Sequence, residues 1–296
     1  MLPTRPIVDL LDKAFRVPEV GDPHLAKHAL TDDTRKFATP AFLAEKTGLM
    51  FDFTEVIERV YCVVFTTPKM LSRLLEIADA PSLLLTHHPH DYHEDRRGFD
   101  PFPQDYVRRL QQSRTSVYTI HTPLDVGLNI SVSKSLAERL SLSDPMPFCE
   151  ALGGHLGVAG WMGSDNLRTT ADQVAYSLGI STIDVFDNNG GSGLTAVVAG
   201  GGDQASILAE ARELGCTRYV TGTVVHRWAL EFIQARNAEF HAAAREGRID
   251  LIGASHYHTE KCALEDVAAY LRQHGVDATF LDDPVLGTYD CGNWRP

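Results

Sequence analysis

From residue 59 onward the chain repeats one pattern: a short run of β-branched and aliphatic residues, a longer amphipathic stretch, then another short run. A parallel strand pair needs a crossover long enough to hold a helix, so this alternation predicts an α/β fold with largely parallel sheets covered by helices. The predicted strands are RVYCVVF (59–65), SLLLT (82–86), SVYTI (116–120), LTAVVA (194–199), TRYVT (217–221), RIDLIG (248–253) and DATFL (277–281). Helix ends are also visible. Thr39 before Pro40 and Thr67 before Pro68 place an N-cap hydroxyl ahead of a first-turn proline, and Gly48 stands where a glycine would stop the first of these helices. Asp203 is expected to cap a helix running through Leu214, and Thr259 one running through His274.

The first 38 residues mix a short amphipathic piece with proline and charge in no sustained period, and they receive no role. Two glycine-rich stretches, GGHLGVAGWMG (153–163) and NNGGSG (188–193), separate an earlier group of strands from a later one. The expected organisation is a first α/β lobe over 1–130 and a second α/β segment over 131–296, the alternative being one intertwined domain.

A chain of 296 residues that is 44% hydrophobic can bury a large core. Its formal net charge of −12 opposes a general affinity for nucleic-acid phosphates, which leaves a small molecule or a protein as partner. Cys62, Cys149, Cys216, Cys262 and Cys291 are odd in number, scattered and without Cys-x-x-Cys spacing, so neither a disulfide framework nor a thiolate zinc site is indicated. The opening MLPTRPIVDLLDKAF is too charged for a signal-peptide core, and no apolar run approaches the roughly 18 residues of a membrane span. The expectation is a soluble, cytoplasmic protein with no membrane contact.

In open α/β sheets, ligands gather beyond the carboxyl ends of the strands. Three predicted strands run there into metal-ligand chemistry: LLLT into His87-His88-Pro89, SVYTI into His121-Thr122-Pro123-Leu124-Asp125, and RIDLIG into Ser255-His256-Tyr257-His258-Thr259-Glu260. Each piece has a structural reading when taken singly. HHPHDYHED reads also as a hydrated loop, Asp125 as a turn cap, and Glu260 as a carboxylate favoured by a helix dipole. Together, His87, His88, Asp125, His256 and Glu260 supply the mixed nitrogen and oxygen donors that zinc, manganese or iron(II) accept. Five ligands are too many for one tetrahedral ion, and the divergent side chains of two adjacent histidines suit two ions, so the site is expected to hold two divalent metal ions.

These motifs, in this order, resemble those of the NIF-three-like family, whose bacterial members are often named GTP cyclohydrolase I type 2 homologues. THHP (86–89), YTIHTPLD (118–125) and SHYHTE (255–260) are similar to the family's His-His-Pro, His-Thr-x-x-Asp and His-x-x-x-Glu signatures, and the resemblance covers about residues 40–280. It implies two α/β lobes with a dinuclear centre between them and a ring-like homo-oligomer, a homohexamer. By the same resemblance His87 and His88 bind one ion each, Asp125 joins the ion of His88, His256 joins the other, and Glu260 bridges. Gly200-Gly201-Gly202 and the Thr221-Gly222 segment look like the family's glycine loop and Thr-Gly element; read from residues alone, the glycines form either an anion cradle or a tight turn. The chain departs from the family pattern at Gly48-Leu49, which lacks a preceding Trp-Asp-Asn, at Thr223, where an acid is usual, and at His155, where arginine is common.

The functional expectation is a metal-dependent hydrolase in which a metal-activated water attacks a small, nucleotide-like substrate, with His121 and His226 as proton-transfer candidates. The alternative is a non-catalytic protein that stores or delivers metal or binds a partner, since fold similarity alone does not choose.

Overall fold

A computed structural model describes residues 1–23, 29–93, 98–228, 230–288 and 292–293. The chain divides into two compact units, the first made of Met1–His93, Gly98–Gly127 and Leu264–Val285, the second of Glu94–Arg97, Leu128–Ala263 and Leu286–Pro296.

The sheet of the first unit has five strands in the order Ala278–Phe280, Arg59–Phe65, Ser82–His88, Thr115–Thr119, Gly48–Phe51. The first four are parallel and Gly48–Phe51 closes the edge antiparallel. Ser82–His88 lies at the centre, and every one of its residues is buried, which explains the unbroken apolar run Leu83-Leu84-Leu85. The helices Pro68–Ile77 and Gln104–Gln112 bury Met70, Leu71, Leu74, Val107 and Leu110 in a cluster with Leu84 and Val117. Thr39 and Thr67 cap their helices as expected, accepting from the backbone N–H groups of Phe42 and Met70. Gly48 does not stop the first of these helices. Lys46, at φ 62°, ends it, and Gly48 instead begins the edge strand.

The unassigned N-terminal segment forms the helix Thr4–Phe15, which buries Ile7, Val8, Leu11 and Phe15. Its Asp12 carboxylate accepts a 2.6 Å hydrogen bond from the Tyr118 hydroxyl on the sheet. The final strand, Ala278–Phe280, also pairs within this unit, beside Arg59–Phe65, so a single cut near residue 130 does not follow the strand pairing.

The second unit carries six strands in the order Asp184–Phe186, Asp250–Gly253, Cys216–Thr221, Leu194–Val198, Gly154–Trp161, Ser143–Ala151. Only the three strands 250–253, 216–221 and 194–198 are mutually parallel, and the others join antiparallel. GGHLGVAGWMG, taken above as a separator, forms most of a strand. Its glycines are packing devices: a Cβ at Gly157 would lie 2.3 Å from the Phe148 ring, and one at Gly160 would lie 2.8 Å from the Ser143 carbonyl. The hairpin turns through Leu152 and Gly153, both at positive φ, the geometry of a two-residue primed turn. Leucine in the first of these positions gives no turn signal, which is why the hairpin is not visible in the sequence. Among the described residues, Cys62, Cys149, Cys216 and Cys262 are free thiols, Cys291 lying outside them, and no helix is long and apolar enough to cross a membrane.

Candidate metal centre

The first donor set is built at the carboxyl end of the central strand of the first unit. His87 and His88 are its last two residues, and successive side chains on a strand leave on opposite faces. His87 is fully buried, and its Nδ1 lies 3.1 Å from the Ile120 carbonyl oxygen. A carbonyl only accepts, so Nδ1 carries a proton and Nε2 is the nitrogen that faces away from it. That Nε2 is 3.5 Å from Asp125 Oδ1. His88 is 3% exposed and stacks on its cross-strand neighbour Phe65, with ring centroids 4.6 Å apart and planes 14° apart, and on Phe99 at 5.3 Å. Apolar walls fix the ring and lower the local dielectric.

His121 and Asp125 are the first and last residues of the short helix His121–Asp125, a four-residue spacing that puts both side chains on one side. His121 Nε2 lies 3.7 Å from Asp125 Oδ2, and its Nδ1 lies 2.9 Å from Asp22 Oδ2. The ligand atoms of His87, His88 and His121 are within 4.8 Å of one another.

The second set belongs to the second unit. The helix His256–Gln273 starts three residues earlier than its expected cap at Thr259, immediately after the strand Asp250–Gly253 and the loop that follows it. His256 and Glu260 are therefore one turn apart, with Nε2 and Oε1 separated by 3.0 Å, and both are buried. Thr259 is no N-cap. Its hydroxyl lies within bonding distance of the Ser255 and His256 carbonyls and accepts from the Gly200 amide.

Two glycines make this close approach possible. Gly200 sits at φ +67°, and a Cβ there would fall 2.1 Å from Glu260 Oε1 and 3.2 Å from His256 Nε2. A Cβ on Gly222 would fall 2.7 Å from the His256 Cα and 2.6 Å from the Gly200 carbonyl. The amides of Gly200 and Gly202 donate to Thr259 and Thr221 hydroxyls, so these glycines form a tight turn packed against the ligand helix.

Asp203, expected as a helix cap, is not one: Gln204 precedes the helix Ala205–Glu213. The fully buried Asp203 carboxylate instead meets His226 Nε2 at 2.9 Å and Arg236 at 3.1 Å, and Arg236 also lies 3.1 Å from His226 Nε2. The other proton-transfer candidate is thus held in a charged cluster with Asp203, read from the sequence only as a cap, and Arg236, which no sequence motif singles out. Asp22 is likewise invisible in the sequence, because a lone aspartate in PEVGDP carries no local sign of a partner about a hundred residues away.

The sequence profile of the Duf34/NIF3 family (NGG1p interacting factor 3) matches residues 38–284 of this chain. The chain belongs to the DUF34/NIF3 family. Curated relatives named GTP cyclohydrolase 1 type 2 homolog include one from Deinococcus radiodurans, 28% identical over 240 residues that cover 80% of this chain and 85% of the relative. Another, from Vibrio cholerae, is 23% identical over 79% of this chain and 88% of the relative. Among solved structures, TTHA1606 from Thermus thermophilus superposes with a TM-score of 0.68 at 22% identity, covering 96% of this chain and 99% of its own. Reduced HcgD from Methanocaldococcus jannaschii gives a TM-score of 0.61 at 16% identity, covering 95% and 98%. At these identities the structures attest the fold, and in this family the α/β architecture read from the strand pattern is the common one.

The donors present suit a first-row divalent ion. Among the described residues, the set in the first unit has three imidazoles and a carboxylate, the set in the second has an imidazole and a carboxylate, and neither includes a thiolate. Hard oxygen and borderline nitrogen donors of this kind accept zinc, manganese or iron(II).

Proposed function

We propose that the chain holds two divalent metal ions through His87, His88, Asp125, His256 and Glu260, and that the loaded protein hydrolyses a small, nucleotide-like substrate. The observation that carries this reading is the convergence of donors: the ligand atoms of His87, His88 and His121 lie within 4.8 Å of one another, Asp125 lies 3.5 Å from His87, and His256 and Glu260 approach to 3.0 Å. That geometry groups Asp125 with His87, whereas the resemblance assigned it to the ion of His88. Glu260 remains the proposed bridge, and zinc, manganese and iron(II) are the ions the donors admit.

When bound, such ions would supply Lewis acidity and a water acidified toward neutral pH. The residues do the rest. His87 and Asp125 hold and orient one side of the centre, His256 and Glu260 the other, and the apolar faces of Phe65 and Phe99 against His88 exclude bulk water. The name carried by the curated relatives, GTP cyclohydrolase 1 type 2 homolog, favours opening of a ring amide or amidine on a purine nucleotide. A homohexameric ring is the assembly that goes with this reading, and light scattering at several concentrations tests it.

Turnover is tested by offering phosphoesters, nucleotides and cyclic amides to metal-loaded protein, with Glu260→Gln as control. A rate lost in the control supports the hydrolase. Release of metal to an apo acceptor without turnover of any substrate would overturn it in favour of storage or delivery.

A further inference from the structure

We infer that Asp22 is a positioning residue for the metal centre, holding His121 by a protonated Nδ1 so that Nε2 is turned toward the His87–Asp125 donor set. The inference rests on the proposed metal reading for its consequence, but its geometry lies wholly within the first unit.

Asp22 follows Gly21, whose left-handed φ of +61° turns the chain out of the preceding helical turn, and its amide donates to the Glu45 carbonyl at 2.8 Å. The side chain is fully buried. One of its oxygens, Oδ2, lies 2.9 Å from His121 Nδ1 and accepts from the Thr122 amide at 3.3 Å. A carboxylate acceptor holds a proton on Nδ1, so Nε2 is the ring nitrogen that faces Asp125. The ring cannot flip without losing that bond, so Nε2 is held 3.7 Å from Asp125 Oδ2. His87 Nε2 approaches the other oxygen of the same carboxylate at 3.5 Å.

Donors bound tetrahedrally at 2.0–2.1 Å lie roughly 3.4 Å apart, so both separations are within a few tenths of an ångström of a shared ion. An imidazole whose far nitrogen is tied to a carboxylate is the usual support of such sites, and loss of the carboxylate typically costs 10–100-fold in metal affinity. Asp22 thereby gives a role to the segment that the sequence left without one.

The test combines tautomer and affinity. Long-range proton–nitrogen correlation spectra of the metal-free full chain report which His121 nitrogen is protonated, and cobalt(II) titration reports affinity through its visible absorption. The expected result is an Nδ1–H His121 in the parent. In Asp22→Ala the Nε2–H form should appear and affinity for one cobalt ion should fall 10–100-fold, with Asp22→Glu recovering part of both. Asp22→Asn keeps the size of the side chain and guards against a folding defect. A parent His121 protonated at Nε2 and not at Nδ1 overturns the inference, as does a folded Asp22→Ala protein with unchanged cobalt binding, or an Asp22→Asn protein that binds cobalt unchanged with His121 no longer protonated at Nδ1. A parent that binds no cobalt but shows Nδ1–H sinks the metal reading and leaves the Asp22–His121 lock intact.

Discussion

Gly200 offers a way to disturb Glu260 without touching it. Alanine at this position meets two costs. Its φ of +67° is left-handed, which an L residue adopts at roughly 1–2 kcal/mol. Its Cβ would also lie 2.1 Å from Glu260 Oε1, where ordinary contact begins at 3.4 Å, so the carboxylate must withdraw by more than an ångström. Withdrawal breaks the 3.0 Å approach of Glu260 Oε1 to His256 Nε2, and overpacking a buried site of this kind typically costs about 1–3 kcal/mol. Gly179 provides the control, because it has nearly the same φ of +66° but nothing within 4 Å of the position a Cβ would take. Gly179→Ala should therefore show the backbone cost alone. Gly200→Ala should lose a further 1–3 kcal/mol or so, which at about 2–4 °C per kcal/mol lowers its Tm by an additional 2–12 °C. By the same free energy, affinity for the ion assigned to His256 and Glu260 should fall roughly 10–100-fold, while Gly179→Ala binds as the parent does. Calorimetry and metal titration on the three proteins decide the matter. Equal Tm losses in the two variants, with metal binding intact in both, would refute the proposed coupling between the glycine turn and Glu260.

Three further outcomes are expected. Burial raises the Cys62 and Cys216 thiols to about 12, so near pH 8 only roughly one in ten thousand of each is thiolate, and a thiol reagent should modify neither before unfolding; rapid native labelling of either would contradict their burial. Asp203→Ala leaves Arg236 and His226 without their shared carboxylate and should cost about 1–3 kcal/mol by denaturant titration, more than Arg236→Met, whose side chain is part-exposed; the reverse order would count against Asp203 as the hub. Burial, partly offset by the Tyr118 hydroxyl, raises the Asp12 carboxyl above its ordinary value, so the folded state binds this proton more tightly than the unfolded chain does. Stability from that group is complete below the unfolded pKa and is lost as pH rises through the folded one, so parent stability relative to Asp12→Asn should decline across that acidic window, and a rise would reverse the assignment.

What the sequence revealed followed from local periodicity. The seven strands expected from apolar runs are present, because strands buried on both faces must be continuously apolar whatever surrounds them. His87, His88, Asp125, His256 and Glu260 could be singled out as candidates because each follows the end of a predicted strand. The hairpin of Ser143–Ala151 and Gly154–Trp161 was hidden by glycines whose purpose is to admit Phe148 and a neighbouring backbone, a long-range cause that composition registers only as flexibility. The roles of Asp22, Asp203 and Arg236 were hidden for the same reason. Each acquires its meaning from a histidine brought to it by folding, and no spacing rule links residues 22 and 121.

Counting bound metal tests the central claim most directly. Full-length protein prepared without chelator and saturated with zinc or manganese, then freed of excess ion, should carry close to two ions per chain by elemental analysis. Anomalous scattering should place one beside His87 and Asp125 and the other beside His256 and Glu260, and Glu260→Gln should lose at least one. A stoichiometry near zero under metal-replete conditions, or two ions bound away from these residues, would contradict the account.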